Sequence, residues 1–209
     1  IWYYRQGDCL RANVQEITAL CPGETARVNQ PASLGANWLG SVWIRATQSL
    51  SVIVDEYGAS GKILMSYRGL PANYWLDSPG GALLNYAPLV YREYNGWNTG
   101  IQVQNLSNVY NALVKVYFLD KGGSTITIMT DWVCPRGAQS FYLRAINDLP
   151  GQYVGQVRAE SQNWWGAGAP PADAPYIQTV VNLVNYDTAQ GLAYNALPAR
   201  WSGGSWQVL

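Results

Sequence analysis

Histidine is absent from these 209 residues. Its absence removes the commonest general base near neutral pH, the Ser-His-Asp triad and every metal site built on imidazole. Charge is scarce as well: Asp, Glu, Lys and Arg together make up 12% of the chain, with 13 residues of each sign. No basic stripe is available to neutralise phosphates, which argues against nucleic acid as a partner. No run of about 18 apolar residues occurs, so membrane insertion through a helix is not expected. No charged segment leads into an apolar one near Ile1; a secretory leader, if one is made, is expected to have been removed. Neither a G-x-S-x-G elbow, nor a P-loop, nor a dinucleotide-type glycine run is present. These gaps point to a non-enzymatic protein without a cofactor.

Cysteine is rare and odd in number: Cys9, Cys21 and Cys134, with no C-x-x-C spacing to suggest structural zinc. Cys9 and Cys21 are the candidate disulfide, on condition that the chain folds back between them. Fully extended, that segment would hold them roughly 40 Å apart, far beyond the reach of a disulfide. Cys134 would then be free or paired with another chain. Paired acids are also few. Asp55-Glu56 is an adjacent pair, but neighbours on a strand point to opposite faces and cannot flank one substrate. Asp120, Asp131 and Asp148 stand beside turn residues, where Asp caps local backbone, and no D-x-D-x-D run suggests calcium.

What the chain has in place of these is aromatic surface and repetition. It carries 10 Trp and 15 Tyr against 2 Phe. Tyr and Trp pair an apolar body with a polar edge, and an excess of them suits surfaces that meet other surfaces or carbohydrate. Leu192-Ala193-Tyr194-Asn195-Ala196-Leu197-Pro198-Ala199 echoes Met65-Ser66-Tyr67-Arg68-Gly69-Leu70-Pro71-Ala72, 127 residues earlier. Cys134-Pro135-Arg136-Gly137 echoes Cys21-Pro22-Gly23 at an offset of 113. Val154-Gly155-Gln156-Val157 answers Leu39-Gly40-Ser41-Val42, and Val116-Tyr117-Phe118-Leu119 answers Ile1-Trp2-Tyr3-Tyr4. The offset grows because Trp164 to Pro175 is an insertion in the second copy. Two copies of one module are expected, the first lacking everything that corresponds to Tyr86–Lys115.

Period-two alternation dominates the second copy. Ala112, Val114, Val116 and Phe118 share one strand face; Leu113, Lys115 and Tyr117 share the other. Ile101 and Val103 alternate with Gln102 and Gln104, and residues 179–184 read as a strand buried on both faces. Turn signals such as Asn95-Gly96, Lys121-Gly122-Gly123 and Leu149-Pro150-Gly151 break the runs. In the first copy strands are expected at Trp2–Arg5, Gln15–Leu20, Thr25–Asn29, Trp38–Arg45, Leu50–Asp55 and Lys62–Tyr67. Many short strands between turns predict an all-β protein with two tandem antiparallel, immunoglobulin-like β-sandwich domains, the first incomplete at its N-terminus. The expected organisation is a first module over 1–72, a linker over 73–81, a second module over 82–199 and a tail over 200–209 that starts a further strand or module.

Several of these motifs carry a resemblance. They are Gly96-Trp97-Asn98-Thr99-Gly100-Ile101-Gln102-Val103-Gln104-Asn105, the strand end Tyr117-Phe118-Leu119-Asp120 with Gly122, Leu149-Pro150-Gly151-Gln152-Tyr153-Val154-Gly155, and Val180-Val181-Asn182-Leu183-Val184-Asn185 with Leu192-Ala193-Tyr194-Asn195. Together they resemble the tandem immunoglobulin-like β-sandwich repeats of large secreted and cell-surface proteins of filamentous green non-sulfur bacteria. The resemblance covers the second module and most of the first, and it implies an extracellular location, tandem arrays and structural or adhesive roles. The truncated first module and the Trp164–Pro175 insertion depart from the pattern.

The expected function is therefore a structural subunit of an extracellular filament, sheath or surface layer. An open sandwich exposes backbone groups that another strand can pair. Strand addition joins subunits head-to-tail into a homopolymer that need not close into a ring. The inter-subunit strand candidates are Ile1, Trp2, Tyr3 and Tyr4 at one end and Ser205, Trp206, Gln207, Val208 and Leu209 at the other. Trp164 and Trp165, on the insertion, are either a contact loop for a neighbouring subunit or glycan, or a cover for their own sandwich edge. Trp97 is expected to pack internally, and Asn105-Leu106-Ser107 fits an N-glycosylation sequon. The alternatives are a fragment of a long adhesin-like repeat protein and a carbohydrate-binding module using exposed Trp and Tyr, with glycans as partner.

Overall fold

The computed structural model describes residues 1–17, 19–35, 38–57, 64–69, 83–162, 175–202 and 205–208. Five strands lie before residue 70: β1 (Trp2–Arg5), β2 (Arg11–Val14), β3 (Gly40–Trp43), β4 (Ile53–Tyr57) and β5 (Leu64–Arg68). Ten follow it: β6 (Leu84–Arg92), β7 (Trp97–Asn105), β8 (Ala112–Leu119), β9 (Thr125–Val133), β10 (Ala138–Tyr142), β11 (Tyr153–Ser161), β12 (Ile177–Asn185), β13 (Gln190–Asn195), β14 (Leu197–Ser202) and β15 (Ser205–Val208). Two single 3-10 turns complete the regular structure of the described residues, which contain no α-helix. No helix in them is long and apolar enough to cross a membrane.

Alternation sets the architecture of the second half. A six-stranded sheet of order β15-β14-β6-β11-β8-β9 faces a four-stranded sheet of order β10-β7-β12-β13. Every pairing is antiparallel. The period-two faces of β8 and β11 point Val114, Val116, Phe118, Val157 and Ala159 inward, against Ile101 and Val103 of β7 and Val181 and Leu183 of β12. That face-to-face burial is the core and the main favourable term of the fold. Pro88 sits inside β6 where it costs no ladder bond: the pairing with β11 skips from Gly155↔Val90 to Val157↔Ala87, and a proline without N–H is tolerated at such an irregularity. Trp97 packs against this core, as expected from its motif position.

The all-β, antiparallel class expected from the sequence is what the chain has. The first half, however, does not close on itself as a second sandwich among the described residues. It forms a three-stranded sheet, β2-β1-β3, and a separate hairpin, β4-β5. Nor do the described residues between 15 and 29 form the two strands expected there. Gly7 at φ 70° and the Asp8 carboxylate, which accepts the Leu10 N–H at 2.9 Å, turn the chain early, so that β2 starts at Arg11. Beyond it, Cys21-Pro22-Gly23 is a turn closed by the Glu24 N–H to the Cys21 carbonyl.

The two halves nevertheless share one pairing plan. In the sandwich, β11 meets β8 with Gln156↔Leu119, Val157↔Phe118 and Arg158↔Tyr117. In the first half, β3 meets β1 with Ser41↔Tyr4, Val42↔Tyr3 and Trp43↔Trp2, which is the same register at the positions that the sequence repeat equates. β8 slips against β9 between Phe118 and Leu119, and β1 slips against β2 between the equivalent Tyr3 and Tyr4. The hairpins agree as well: Val54↔Tyr67 and Asp55↔Ser66 in β4-β5 match Val181↔Tyr194 and Asn182↔Ala193 in β12-β13. Even the bond beyond each hairpin recurs, Gly69 N–H to the Val52 carbonyl and Ala196 N–H to the Thr179 carbonyl, both at 2.9 Å.

Glycine marks the same niche twice. A Cβ on Gly155 would lie 2.2 Å from the Leu119 carbonyl and against the Tyr153 ring; one on Gly40 would lie 2.0 Å from the Tyr4 carbonyl and against the Trp38 ring. The partners are equivalent residues, so the sheet β2-β1-β3 is the counterpart of β9-β8-β11.

Candidate functional site

The two halves are held together at the turn after β9. Arg136 adopts φ 62° there, and its guanidinium lies 5.8 Å from the ring centres of both Trp2 and Trp43, which are cross-strand partners on one face of the β1-β3 sheet. It donates to the Tyr4 hydroxyl at 3.2 Å and, through Nε, to Asn108 at 2.8 Å. The Arg136 carbonyl accepts from the Ser41 hydroxyl and, at 3.2 Å, from the Trp43 indole N–H. A guanidinium between two aromatic rings keeps its charge while shedding water, which is the setting where cation–π contacts are strongest. Sequence reasoning missed this clasp. Its one legible signal was the period-two pairing of Trp2 with Tyr4 and of Ser41 with Trp43 around an extra residue, Arg136, in the second Cys-Pro-x-Gly turn.

A disulfide locks the clasp, and it corrects the expected pairing. Cys9 is joined to Cys134, with Cα atoms 5.1 Å apart, and not to Cys21. The β1-β2 turn lays Cys9 beside the Arg136 turn, whereas Cys21 sits in its own exposed turn and is free. The bridge closes a separation of 125 residues.

The strand candidates divide. Trp2–Arg5 is β1, the central strand of its sheet, with β2 on one edge and β3 on the other. Ile1 extends the β2 side, its ammonium donating to the Gln15 carbonyl at 2.8 Å and its carbonyl accepting the Gln15 N–H at 2.9 Å. Ile1, Trp2, Tyr3 and Tyr4 therefore have no open edge for an incoming strand: a central strand has already used both sets of backbone groups. Ser205–Val208, carrying Trp206 and Gln207, is β15. It folds back on β14 with Ser202↔Ser205 and Ala199↔Val208 and forms one margin of the six-stranded sheet. Leu209, Trp164 and Trp165 lie outside the described residues, as does the expected linker.

Each sheet ends in unpaired margins among the described residues, and three of these are β15, β9 and β3. Apolar side chains crowd two of them. Ile126, Ile128 and Trp132 line the outward face of β9, with Trp132 57% exposed. Leu39, Val42 and Ile44 run along β3 and are exposed too. Natural edges are usually blunted by Lys, Pro or inward charge; neither strand has Lys or Pro, and the one charge on them is Asp131, on the β9 face shared with Met129 and Val133.

Several polar groups elsewhere are committed to the fold. Asp120 accepts the Ser124 N–H at 2.8 Å, the turn-capping role expected of it, and lines an open depression of about 410 Å³ with Tyr94, Lys121 and Gln152. Asp55 accepts from Ser66 while Glu56 accepts from Asn182 at 2.8 Å, on opposite faces of β4. Burial raises Glu56 above the usual carboxylate range, and bonds from Tyr67 and Asn182 lower it only in part. Tyr153 and Tyr194 are pushed up to about 12, mainly by burial. No group of three Cys, Asp or Glu that could hold a metal occurs among the described residues. Asn105, first residue of the sequon, is fully buried, and its amide donates to the carbonyls of Tyr110 and Val133 at 2.7 and 2.9 Å. In the folded state that nitrogen is inaccessible to a glycan-transferring enzyme.

No protein-family model matches the chain. No curated protein matches it either. A solved structure, that of Thermotoga maritima 1070, is similar at 11% identity over 62% of this chain and 90% of that one, with a TM-score of 0.37. A likeness so remote carries no argument about what this chain does.

Proposed function

We propose that the chain is a non-enzymatic structural subunit of an extracellular bacterial filament, sheath or surface layer, held together by strand addition or packing between repeat modules. The observation that supports this reading most is the pair of edges with exposed apolar side chains, β9 with Ile126, Ile128 and Trp132, and β3 with Leu39, Val42 and Ile44. Left in water, such edges are templates for pairing with another chain. Two further features agree with it. The Cys9–Cys134 bridge suits an oxidising, extracytoplasmic compartment. A charged fraction of 12% suits dense subunit packing in which few charges need desolvation. The division into modules over 1–72 and 82–199 belongs to the same proposal, with the shared register of the two halves as its support.

Electron microscopy of the purified, oxidised protein tests the reading. Fibres or ordered sheets are expected at high protein concentration, and Ile128→Lys is expected to shorten or abolish them. A sedimentation profile that stays at a single protomer at every concentration would remove the proposal. Binding to a glycan array in the absence of any assembly would favour the carbohydrate-binding alternative.

A further inference from the structure

We infer that the free edge of β3 is an acceptor groove for one added strand of the β6 type, bound antiparallel in the register that β6 keeps with β11. The inference deepens the strand-addition reading and rests on it for its biological setting. Its physical basis is separate. β2-β1-β3 reproduces β9-β8-β11 in register, in its slip and in its glycine niche. In the sandwich, the strand next to β11 is β6. In the first half, the place next to β3 holds no strand among the described residues.

Burial locates the gap. Val157 is 0% exposed and its equivalent Val42 is 42% exposed; Ala159 is 0% exposed and its equivalent Ile44 is 39% exposed. Both sit on the face that in the sandwich meets the core. On β1 the same face is already covered: Tyr3 is buried, with Trp38 at a ring separation of 6.0 Å and its hydroxyl bonded to Gln15. The opposite face of β3 is used as well, by the Ser41 and Trp43 bonds to Arg136. So one edge and one flanking strip of apolar surface remain.

The occupant's chemistry can be read from β6. Val157 pairs with Ala87, Arg158 with Tyr86 and Gly155 with Val90, with the irregularity at Pro88 and Leu89 between them. By equivalence, Val42 pairs with an Ala87-like residue, Trp43 with a Tyr86-like residue and Gly40 with a Val90-like residue. A small residue opposite Val42 and a proline at the slip are the specific features the equivalence transfers, because β6 sets Ala87 against Val157 and places Pro88 and Leu89 at its irregularity. The chain's own β6 is paired on both sides, with β11 and β14, and is not free to serve itself. The acceptor is therefore filled by the β6-type strand of another repeat module.

Amide hydrogen exchange on the full oxidised chain, with the nine-residue peptide Leu84–Arg92 added at about 1 mM, tests this. Amides from Leu39 to Ile44 are expected to exchange at least about tenfold more slowly, with no effect from a peptide of the same composition in scrambled order. Val42→Arg is expected to abolish the protection while leaving exchange in β8 and β11 unchanged, since Val42 lies outside the sandwich core. No slowing over Leu39–Ile44, or equal slowing by the scrambled peptide, overturns the inference. So does protection confined to β9 or β15. Fibres without protection at β3 overturn it while leaving strand addition in place; protection without fibres upholds it and removes the filament reading.

Discussion

Val157 lies opposite Phe118 in the second half of the chain, and neither touches solvent; Val42 lies opposite Tyr3 in the first half, in the same register, and is 42% exposed. Pairing and burial have come apart. The hydrogen-bond plan of a sheet is a local property, set by alternation, turn position and a glycine at the close approach. Burial depends on what the sheet meets. In the sandwich, β8 and β11 meet β7 and β12; in the first half, the equivalent strands meet the Arg136 turn on one face, while on the other Trp38 covers Tyr3 of β1 and leaves Val42 of β3 open.

The hairpins teach the same lesson through one residue. Leu183 of β12 is 3% exposed in the core, and its equivalent in β4 is Glu56, since Leu183↔Leu192 and Glu56↔Met65 are matching pairs. A carboxylate cannot enter an apolar core unpaired. Hairpin β4-β5 instead lies on the outer side of β12-β13. There Glu56 accepts from Asn182, Met65 packs on Ala193, and Asn195 donates to the Arg68 carbonyl at 2.9 Å. The second half thus serves as scaffold for both pieces of the first.

The largest test of that dependence is the bridge. Cys9→Ser with Cys134→Ser releases a loop of 125 residues, and about 2–4 kcal/mol of stability is expected to go with it. The loss should fall on the β1-β3 sheet and spare the sandwich. Denaturant unfolding followed by hydrogen exchange would show it, and equal loss of protection in β8 and β11 would contradict the scaffold relation. Next come the matched glycines. Gly155→Ala and Gly40→Ala each place a methyl within about 2 Å of a carbonyl, at an expected cost of about 1–3 kcal/mol. Gly155→Ala should lower global stability, whereas Gly40→Ala should loosen β1-β3 alone; a silent Gly40→Ala would break the equivalence of the two sheets.

Smaller still is the valine pair. Val157→Ala removes two fully buried methyl groups, about 1.5 kcal/mol by transfer alone, with a cavity term added. Val42→Ala should cost less than about 0.5 kcal/mol, as surface changes do. Thermal unfolding of both variants reads the difference. Similar values would mean that Val42 is covered in solution by something outside the described residues.

Much of this comparison was legible beforehand, and the reason is physical. Turn chemistry and period-two alternation are short-range, so Leu39–Val42 against Val154–Val157, and Met65–Arg68 against Leu192–Asn195, revealed strands that pair alike. The joint was not legible. Cys9–Cys134, Arg136 between Trp2 and Trp43, and Glu56 to Asn182 link residues distant in the chain, and each depends on where a whole sheet settles. Cys21 was the plausible partner for Cys9 by nearness in sequence, yet its Pro22-Gly23 turn faces solvent. The central position of β1 was hidden as well, because Arg11–Val14 (Arg-Ala-Asn-Val) carries a single strongly apolar residue and does not announce a strand.

Glu56 gives the finest discrimination between the two hairpins. Burial raises its carboxyl above the ordinary value. A group raised in the folded state favours folding while protonated: its contribution is complete below the ordinary carboxylate value and is lost as pH rises through the raised one. The packing of β4-β5 on β12-β13 should therefore tighten as the solution is acidified through that window. Glu56→Gln keeps the shape and stays neutral, so it should hold the hairpin equally well on both sides of the window and protect the amides of Met65–Arg68 slightly better at pH 7. The expected gain is less than about 1 kcal/mol. Hydrogen exchange at pH 4 and pH 7, corrected for intrinsic rates and compared between the two proteins, isolates this carboxyl from the others that titrate alongside it. If Glu56→Gln kept the full pH dependence of the parent, the hairpin's divergence from β12-β13 could not be traced to the acid that replaces Leu183, and the contact with Asn182 would be a consequence of the packing, not its cause.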